Sequence, residues 1–293
     1  MESSNRMYDI VYQLRQRRDE LSPVEKRVAD TILSDVGGAA QMGIAELAAR
    51  AGVSVAAISR FAKAVGCGNV RELRVRLAEA GAVGKRFMDE PDSRPVSALY
   101  AQICTDIEAT LRRNLVGLEE PLVQAAAAAI STARMVHAFG MGGASTVLAT
   151  ECQNRLMRLG RPANACNDAL MMKMVAATLS KEDVVLALSI SGLTTELIDA
   201  VETARSYGAR VVAITRANTP LAERADWLLP IVIDQAEFVF KPSASRYALL
   251  LAIDILATTV GLLHSAETRE RLRRINLALE NVRGGHGPLP LGD

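Results

Sequence analysis

Hydrophobic and polar positions change rhythm along this chain of 293 residues. Over residues 1–80, apolar side chains recur at helical spacing, as in Ile10, Val11 and Leu14, then Val24, Val28, Ile32 and Leu33, with almost no β-branched runs. The stretch LSPVEKRVADTIL carries a helix start: Ser22 can cap, Pro23 fits the first helical position and Glu25 lies in the first turn. Gly37-Gly38 is expected to end that helix. Residues 81–120 form a link, GAVGKRFMDEPDSRPVS, followed by a connecting helical stretch from Ala98 to Leu118. From 121 to 280 the rhythm alternates. Continuous apolar runs at Met135–Phe139, Val184–Ser189, Arg210–Thr215 and Trp227–Ile233, with a shorter one at Pro162–Cys166, read as strands. Helical stretches at Ser145–Leu159, Ala169–Thr178, Glu196–Tyr207 and Leu221–Ala225 separate them. Strand–helix alternation predicts an α/β domain with a parallel sheet covered on both faces. Residues 281–293 are a tail.

Within the helical segment, MGIAELAARAGVSVAAISRFAKAVG holds two short amphipathic helices joined at Gly52. Ile44, Leu47 and Ala48 form the first apolar face. Ser54 caps the second helix, whose apolar face is Ile58, Phe61, Ala62 and Val65. This is a helix-turn-helix pattern, in which the second helix enters the major groove of double-stranded DNA by its amino-terminal residues. Ser54, Ala57, Ser59 and Arg60 are then the candidates for reading bases. Residues 50–76 carry six basic side chains, Arg50, Arg60, Lys63, Arg71, Arg74 and Arg76, against one acid, Glu72. Arg50, Lys63 and Arg74 are candidates, with Arg60, for neutralising backbone phosphates.

Charge sharpens the division. Residues 1–86 hold 14 Lys/Arg and 10 Asp/Glu, a balance of +4, while residues 87–293 hold 20 and 23, a balance of −3. A basic helical segment on a mildly acidic body fits a nucleic-acid partner for the first part. Four cysteines without C-x-x-C spacing and three scattered histidines argue against a zinc site or a disulfide framework. No metal and no cofactor is expected. The amino terminus lacks an apolar signal core. The run from Ala248 to Leu263 contains Asp254 and is shorter than the ~18–20 residues of a membrane span, so it is read as a buried helix. A cytoplasmic protein without membrane contact is expected.

Two strand-to-helix loops carry candidate chemistry. In VVLALSISGLTTE the strand should end near Ser189 and a helix should begin near Thr194 or Thr195. The hydroxyls of Ser189, Ser191 and Thr194 can donate to a phosphate, and Gly192 permits close backbone approach. Helix amino-terminal amides and the helix dipole favour an anion at the same place. The second loop, FGMGGAS, has Gly142 and Gly143 for a tight turn and Ser145 as a donor. It lacks the last glycine and the following acid of a dinucleotide-binding fingerprint. Two such loops at neighbouring strand ends point to a phosphate-binding site rather than to two ordinary caps.

The run IAELAARAGVS…ISRFAKAVG…ELRVRLA resembles the amino-terminal domain of the RpiR family of bacterial transcriptional regulators. In that family Val53-Ser54 would open the recognition helix and Arg60-Phe61 would sit in its middle. The run SISGLTTE is similar to the phosphosugar signature Ser-x-Ser-Gly-x-Thr-x-Glu of the SIS (sugar isomerase) domain, matched at Ser189, Ser191, Gly192, Thr194 and Glu196. The loop Gly140–Ser145 is one residue longer than the usual Gly-x-Gly-x-Ser. The resemblance implies an all-α helix-turn-helix domain followed by a flavodoxin-like SIS domain. It also implies that Ser145, Ser189, Ser191 and Thr194 hold the phosphate of a phosphorylated sugar or sugar acid. VFKPSASRYALLLAIDILAT resembles the last SIS helix and its preceding loop, which makes Lys241 and Arg246 candidate ligand contacts.

An isomerase would need a base, and Glu151, Glu196 and His264 are the candidates. They form no obvious pair in sequence. The reading is therefore a regulator, dimeric or tetrameric, whose DNA affinity is set by the bound effector. A sugar-phosphate isomerase with an accessory helical domain is the alternative.

Overall fold

The computed structural model describes residues 9–82, 95–233 and 244–283. The described residues fall into two compact units, the first comprising 9–82 and the second 95–233 with 244–283.

The first unit is helical: α1 (Ile10–Arg17), α2 (Pro23–Ser34), α3 (Val36–Gln41), α4 (Ile44–Ala51), α5 (Val55–Ala64) and α6 (Val70–Ala82). Ser22 and Glu25 form a reciprocal capping box at the start of α2, with Pro23 in the first turn. Val28, Ala29 and Ile32 on α2 meet Leu47, Ile58, Phe61, Leu73 and Leu77 in one core. The chain does not stop being helical at Gly37-Gly38. Helix α2 ends earlier, at Ser34, and both glycines lie inside α3. Asp35 is responsible: it closes α2 in a non-helical conformation, and its carboxylate accepts the Gly38 amide at 2.9 Å, restarting a helix at once. Gly52 ends α4 at φ +62°, the left-handed conformation that glycine adopts without a Cβ penalty.

The second unit opens with α7 (Val96–Gly117) and α8 (Glu120–Thr132), then alternates: β1 (Met135–Gly140), α9 (Gly143–Arg158), β2 (Ala163–Cys166), α10 (Ala169–Ala176), β3 (Asp183–Leu188), α11 (Thr195–Ser206), β4 (Arg210–Thr215) and β5 (Trp227–Pro230). Helices α12 (Ser245–Leu263) and α13 (Ser265–Arg283) follow. In place of the helix expected at Leu221–Ala225 there is a single 3₁₀ turn, Ala222–Arg224.

The five strands are parallel, in the order β2-β1-β3-β4-β5. Their apolar runs are continuous because both faces are covered. Val184, Leu186 and Leu188 join Val136, Ala138, Val212 and Ile214 under α8, α9 and α12. The alternate residues, Val185, Ala187, Val211 and Ala213, pack with Phe139 under α10 and α11. The apolar run after Asp226 continues to Ile233, but β5 stops at Pro230. Beyond it, the buried side chain of Asn114 on α7 takes over both Val232 backbone groups, accepting the amide at 2.7 Å and donating to the carbonyl at 3.0 Å. Helix α12 buries Ala248, Leu249, Ala252, Ile253, Leu256 and Val260 in the sheet core.

The first strand after α8 is β1. The chain then moves outward to β2 and returns to the other side of β1 to form β3. Strand order therefore reverses between β1 and β3, and the crevice beyond their carboxyl ends is where open α/β sheets hold ligands.

Candidate ligand and nucleic-acid sites

Gly140 and Leu188 are register partners on β1 and β3. The loops that follow them, 140–145 and 189–194, thus leave the sheet about 4.8 Å apart. Each leads straight into a helix. Neither α9 nor α11 has a cap from its own N-cap residue: Gly142 has no side chain, and the Thr194 side chain accepts no cap bond. The first-turn amides of two helices therefore point out of adjacent strand ends, with the positive ends of two helix dipoles.

Local chemistry shapes both turns. Gly142 and Gly143 have φ +75° and +51° and are exposed at the loop tip. Gly140 is required for another reason. A Cβ there would collide with the Ser145 carbonyl, so the first turn of α9 rests directly on the end of β1. Ser145 is buried in that turn. In the second loop Ser189 is buried, and its Oγ accepts the Gly192 amide at 3.0 Å. Ser191 is half-buried, and its Oγ accepts the Leu193 amide at 3.2 Å. In both serines the oxygen is engaged as acceptor, so the hydroxyl hydrogen remains a donor for an anion.

Gly192 differs from the sequence reading. It is buried at φ +70°, and a Cβ would collide with Thr219 Oγ1 and come within 2.8 Å of Thr215 Oγ1. The glycine makes room for the two threonines beneath the loop, not for a ligand above it. Sequence reading does not single out either threonine. Thr215 is fully buried at the end of β4, and its Oγ1 has no hydrogen-bond partner among the described residues.

Thr194 is half-buried at the start of α11, and Glu196 is exposed in its first turn. Arg246 lies at the start of α12, with its guanidinium 4.8 Å from the Tyr247 ring centroid and Nη2 donating to Tyr247 Oη at 3.3 Å. Lys241 lies outside the described residues. The candidate bases are dispersed. Glu151 pairs with Arg155 at 2.6 Å, and His264 Nε2 lies 2.8 Å from Ser131 Oγ. Ser131 ends the helix that leads into β1, at the opposite edge of the sheet from the two loops.

In the helical unit, Ser54 caps α5 by accepting the Ala57 amide at 3.2 Å. The outward stripe of α5 is Val55, Ala56, Ser59, Arg60 and Lys63, all exposed. Ala57 faces the other way and is buried beside Ile58, so it is corrected from a base-reading position to a core residue. Helical spacing explains this, because positions 57, 58, 61 and 62 share one face. Arg74 is also corrected. Its Nε donates to the Ala40 carbonyl at 3.0 Å and its Nη2 to the Gln41 carbonyl at 3.2 Å, which ties α6 to the end of α3. Arg50 is exposed and stands 3.7 Å from Asp35. Val55 lies among the amino-terminal residues of this helix that the sequence places toward the groove, whereas Ala56 escapes sequence reading because it is apolar and fits a core pattern.

A helix-turn-helix unit and a flavodoxin-type sheet with paired Ser/Gly loops define a regulator architecture. Family comparisons agree. The helix-turn-helix domain of the rpiR family matches residues 8–83, and the SIS domain matches residues 130–259. The HTH-type transcriptional regulator HexR of Pseudomonas aeruginosa is 31% identical over 280 residues, covering 94% of this chain and 98% of that protein. HexR of Escherichia coli is 29% identical, covering 97% and 99%. Among solved structures, the NanR protein of Vibrio vulnificus complexed with ManNAc-6P shares the fold, with a TM-score of 0.59 and 22% identity over 93% of this chain and 98% of that one. The chain belongs to the RpiR family of transcriptional regulators that carry an SIS domain.

Proposed function

We propose that this regulator binds double-stranded operator DNA through α5 and that a phosphorylated sugar or sugar acid at the β1/β3 crevice sets its DNA affinity. One observation carries the effector half: α9 and α11 begin uncapped at adjacent strand ends, with Ser145, Ser189, Ser191 and Thr194 around them. Two helix amino termini and several hydroxyl donors together suit a dianionic phosphate. Gly142 and Gly143 leave the loop tip open for the sugar. Glu196 and, on α12, Arg246 are candidates for its hydroxyls or carboxylate, as is Lys241. The ManNAc-6P complex of the NanR protein supports a phosphosugar class for a fold of this kind.

On the DNA side, Ser54, Ser59 and Arg60 would face bases, with Val55 and Ala56 against apolar base edges. Arg50 and Lys63 would neutralise phosphates. Two copies of the chain would place two α5 helices on a palindromic site. The working chemistry is sensing rather than turnover. Of the three candidate bases, Glu151 is engaged by Arg155 and His264 lies at the far edge of the sheet, which leaves only Glu196 of the three at the crevice. The coupling expected between effector and DNA is about 1–3 kcal/mol. An operator target fits a cytoplasmic protein.

The test is fluorescence anisotropy with genomic fragments and the full-length chain, with and without phosphorylated sugars. Specific, salt-sensitive binding that shifts severalfold with one phosphorylated sugar supports the reading. Binding indifferent to every phosphorylated sugar overturns its effector half.

A further inference from the structure

A second feature of the SIS unit lies away from the β1/β3 crevice. The carboxyl-terminal half of α9, the same half of α12 and the start of α13 line an open cavity of about 530 Å³. That volume lies in the range of small-molecule sites, roughly 300–1,000 Å³. The cavity begins at Glu151, two turns along α9 from the Gly143 end that faces the crevice. The junction between α12 and α13 is held at the opposite edge of the sheet by the bond between His264 and Ser131.

Beside the cavity, α13 is tied to the end of α9. Arg271 on α13 donates to the Leu159 carbonyl at 3.1 Å and to Glu267 at 3.3 Å. Gly160, at φ +73°, leaves space for that guanidinium; a Cβ would come within 2.6 Å of the Arg271 side chain. A side chain at 160 would be strained by that φ and would push the Arg271 guanidinium aside.

The charges inside are unequal. Arg155 is engaged by both acids of the cavity: its Nε meets Glu151 at 2.6 Å, and its Nη2 lies 3.1 Å from Asp254 Oδ1, an ion pair without hydrogen-bond alignment. Arg158 and Arg269 also line the cavity, and neither has an acidic partner among the described residues. Leu159, Leu262 and Leu272 supply apolar wall, and Leu262 is 68% exposed. Two uncompensated guanidiniums beside aliphatic surface suit a ligand with a charged head and a carbon body.

We infer that the α9–α12–α13 cavity is a second ligand site, for a small amphipathic organic anion. Arg158 and Arg269 hold its carboxylate- or sulfonate-type head, and the leucines cover its apolar body. Helix α9 then carries both sites, the phosphate loops at its amino end and this cavity at its carboxyl end.

The probe is 8-anilinonaphthalene-1-sulfonate, titrated into the full-length chain and followed by fluorescence. Saturable binding of one probe per chain is expected, undisturbed by excess glucose 6-phosphate. Arg158→Ala/Arg269→Ala is expected to weaken it roughly tenfold, in line with loss of charge-assisted hydrogen bonds. Thr258→Trp, on an exposed position of the lining, fills the space without touching the sheet core and is expected to abolish binding. Ser191→Ala in the phosphate loop is expected to leave it intact. Unchanged affinity in either the arginine pair or the filled variant, with unchanged melting curves, overturns the inference. So does displacement of the probe by glucose 6-phosphate.

Discussion

Ser189 Oγ accepts the Gly192 amide at 3.0 Å across the turn that leaves β3. This bond fixes the loop and at the same time directs the serine's own hydrogen elsewhere. The residue thus has a structural role and, in our reading, an anion-binding one. Ser191 repeats the arrangement with the Leu193 amide, but nearer the surface. The two serines therefore separate experimentally. Ser189→Ala leaves a buried amide without its partner and should cost about 1–3 kcal/mol of stability. Ser191→Ala should leave the melting curve within a degree or two and still weaken phosphosugar binding severalfold. Calorimetric titration together with thermal melts distinguishes the two outcomes.

Gly192→Ala should damage the loop more than either serine variant. The residue would be held in the left-handed region, at about 1–2 kcal/mol for a side chain, and its Cβ would collide with Thr219. A lowered melting temperature and loss of effector binding are expected together. Gly142→Ala meets no neighbour within 4 Å and carries only the strain of φ +75°, so it should be milder in both readouts.

In the helix-turn-helix unit, Lys63→Ala should lower DNA affinity and flatten its dependence on salt, by about one unit of slope for the phosphate that is no longer neutralised, whereas Arg60→Ala should lower affinity and relax the sequence preference. Ala57 and Arg74 predict a different phenotype. Arg74→Ala removes two bonds to the end of α3 and should appear first as a lower urea midpoint. A variant that lost DNA binding at full stability would contradict the placement of Arg74. Val55→Ser should change the preferred sequence more than the salt slope, readable by selection from random oligonucleotides.

His137 gives the protein a pH dependence. Burial in β1 holds its pKa below the ordinary histidine value, with the charge of Asp183 opposing. Above about pH 6.5 both folded and unfolded chains leave the ring neutral, and it contributes nothing. Below that pH the unfolded chain takes up a proton that the folded chain refuses, so stability falls as pH drops toward the lowered folded value. The slope from one such group stays below about 1.4 kcal/mol per pH unit. Urea midpoints at pH 7.5 and 5.5 should differ, and His137→Gln should reduce the difference.

Acidification should also weaken the pair between Asp183 and Arg134. Burial raises the Asp183 pKa, but the Arg134 guanidinium and the Ser180 amide and hydroxyl outweigh it and leave the pKa lowered. Its stabilising effect is therefore present above the ordinary carboxylate pKa and lost as pH falls through the lowered value. Asp183→Asn should remove that part of the acid sensitivity below about pH 4, measured by thermal melts.

Much of this arrangement is written in local sequence. The runs Val184–Leu188 and Arg210–Thr215 are strands as their composition indicates, and Ser22, Pro23 and Glu25 make the cap that their spacing suggests. Both Ser/Gly loops fall at strand ends beside the reversal of strand order. What local sequence hides is side-chain traffic between distant segments. Asn114 stops β5 from a helix more than a hundred residues earlier. Asp35 lets a helix restart across two glycines, Arg74 is drawn to carbonyls on another helix, and Ala57 is turned inward by a one-position phase on α5. Gly192 looks the same in sequence whether the space it frees lies above the loop or below it. Only Thr215 and Thr219 decide that.

The most direct test is a calorimetric titration of the full-length chain with a panel of phosphorylated sugars and sugar acids and their unphosphorylated counterparts, repeated on Ser191→Ala. Saturable binding of at least one phosphorylated compound is expected, with none of its unphosphorylated form and a severalfold loss in the variant. Equal binding of a sugar with and without its phosphate, or full affinity in Ser191→Ala, would contradict the proposed phosphate site.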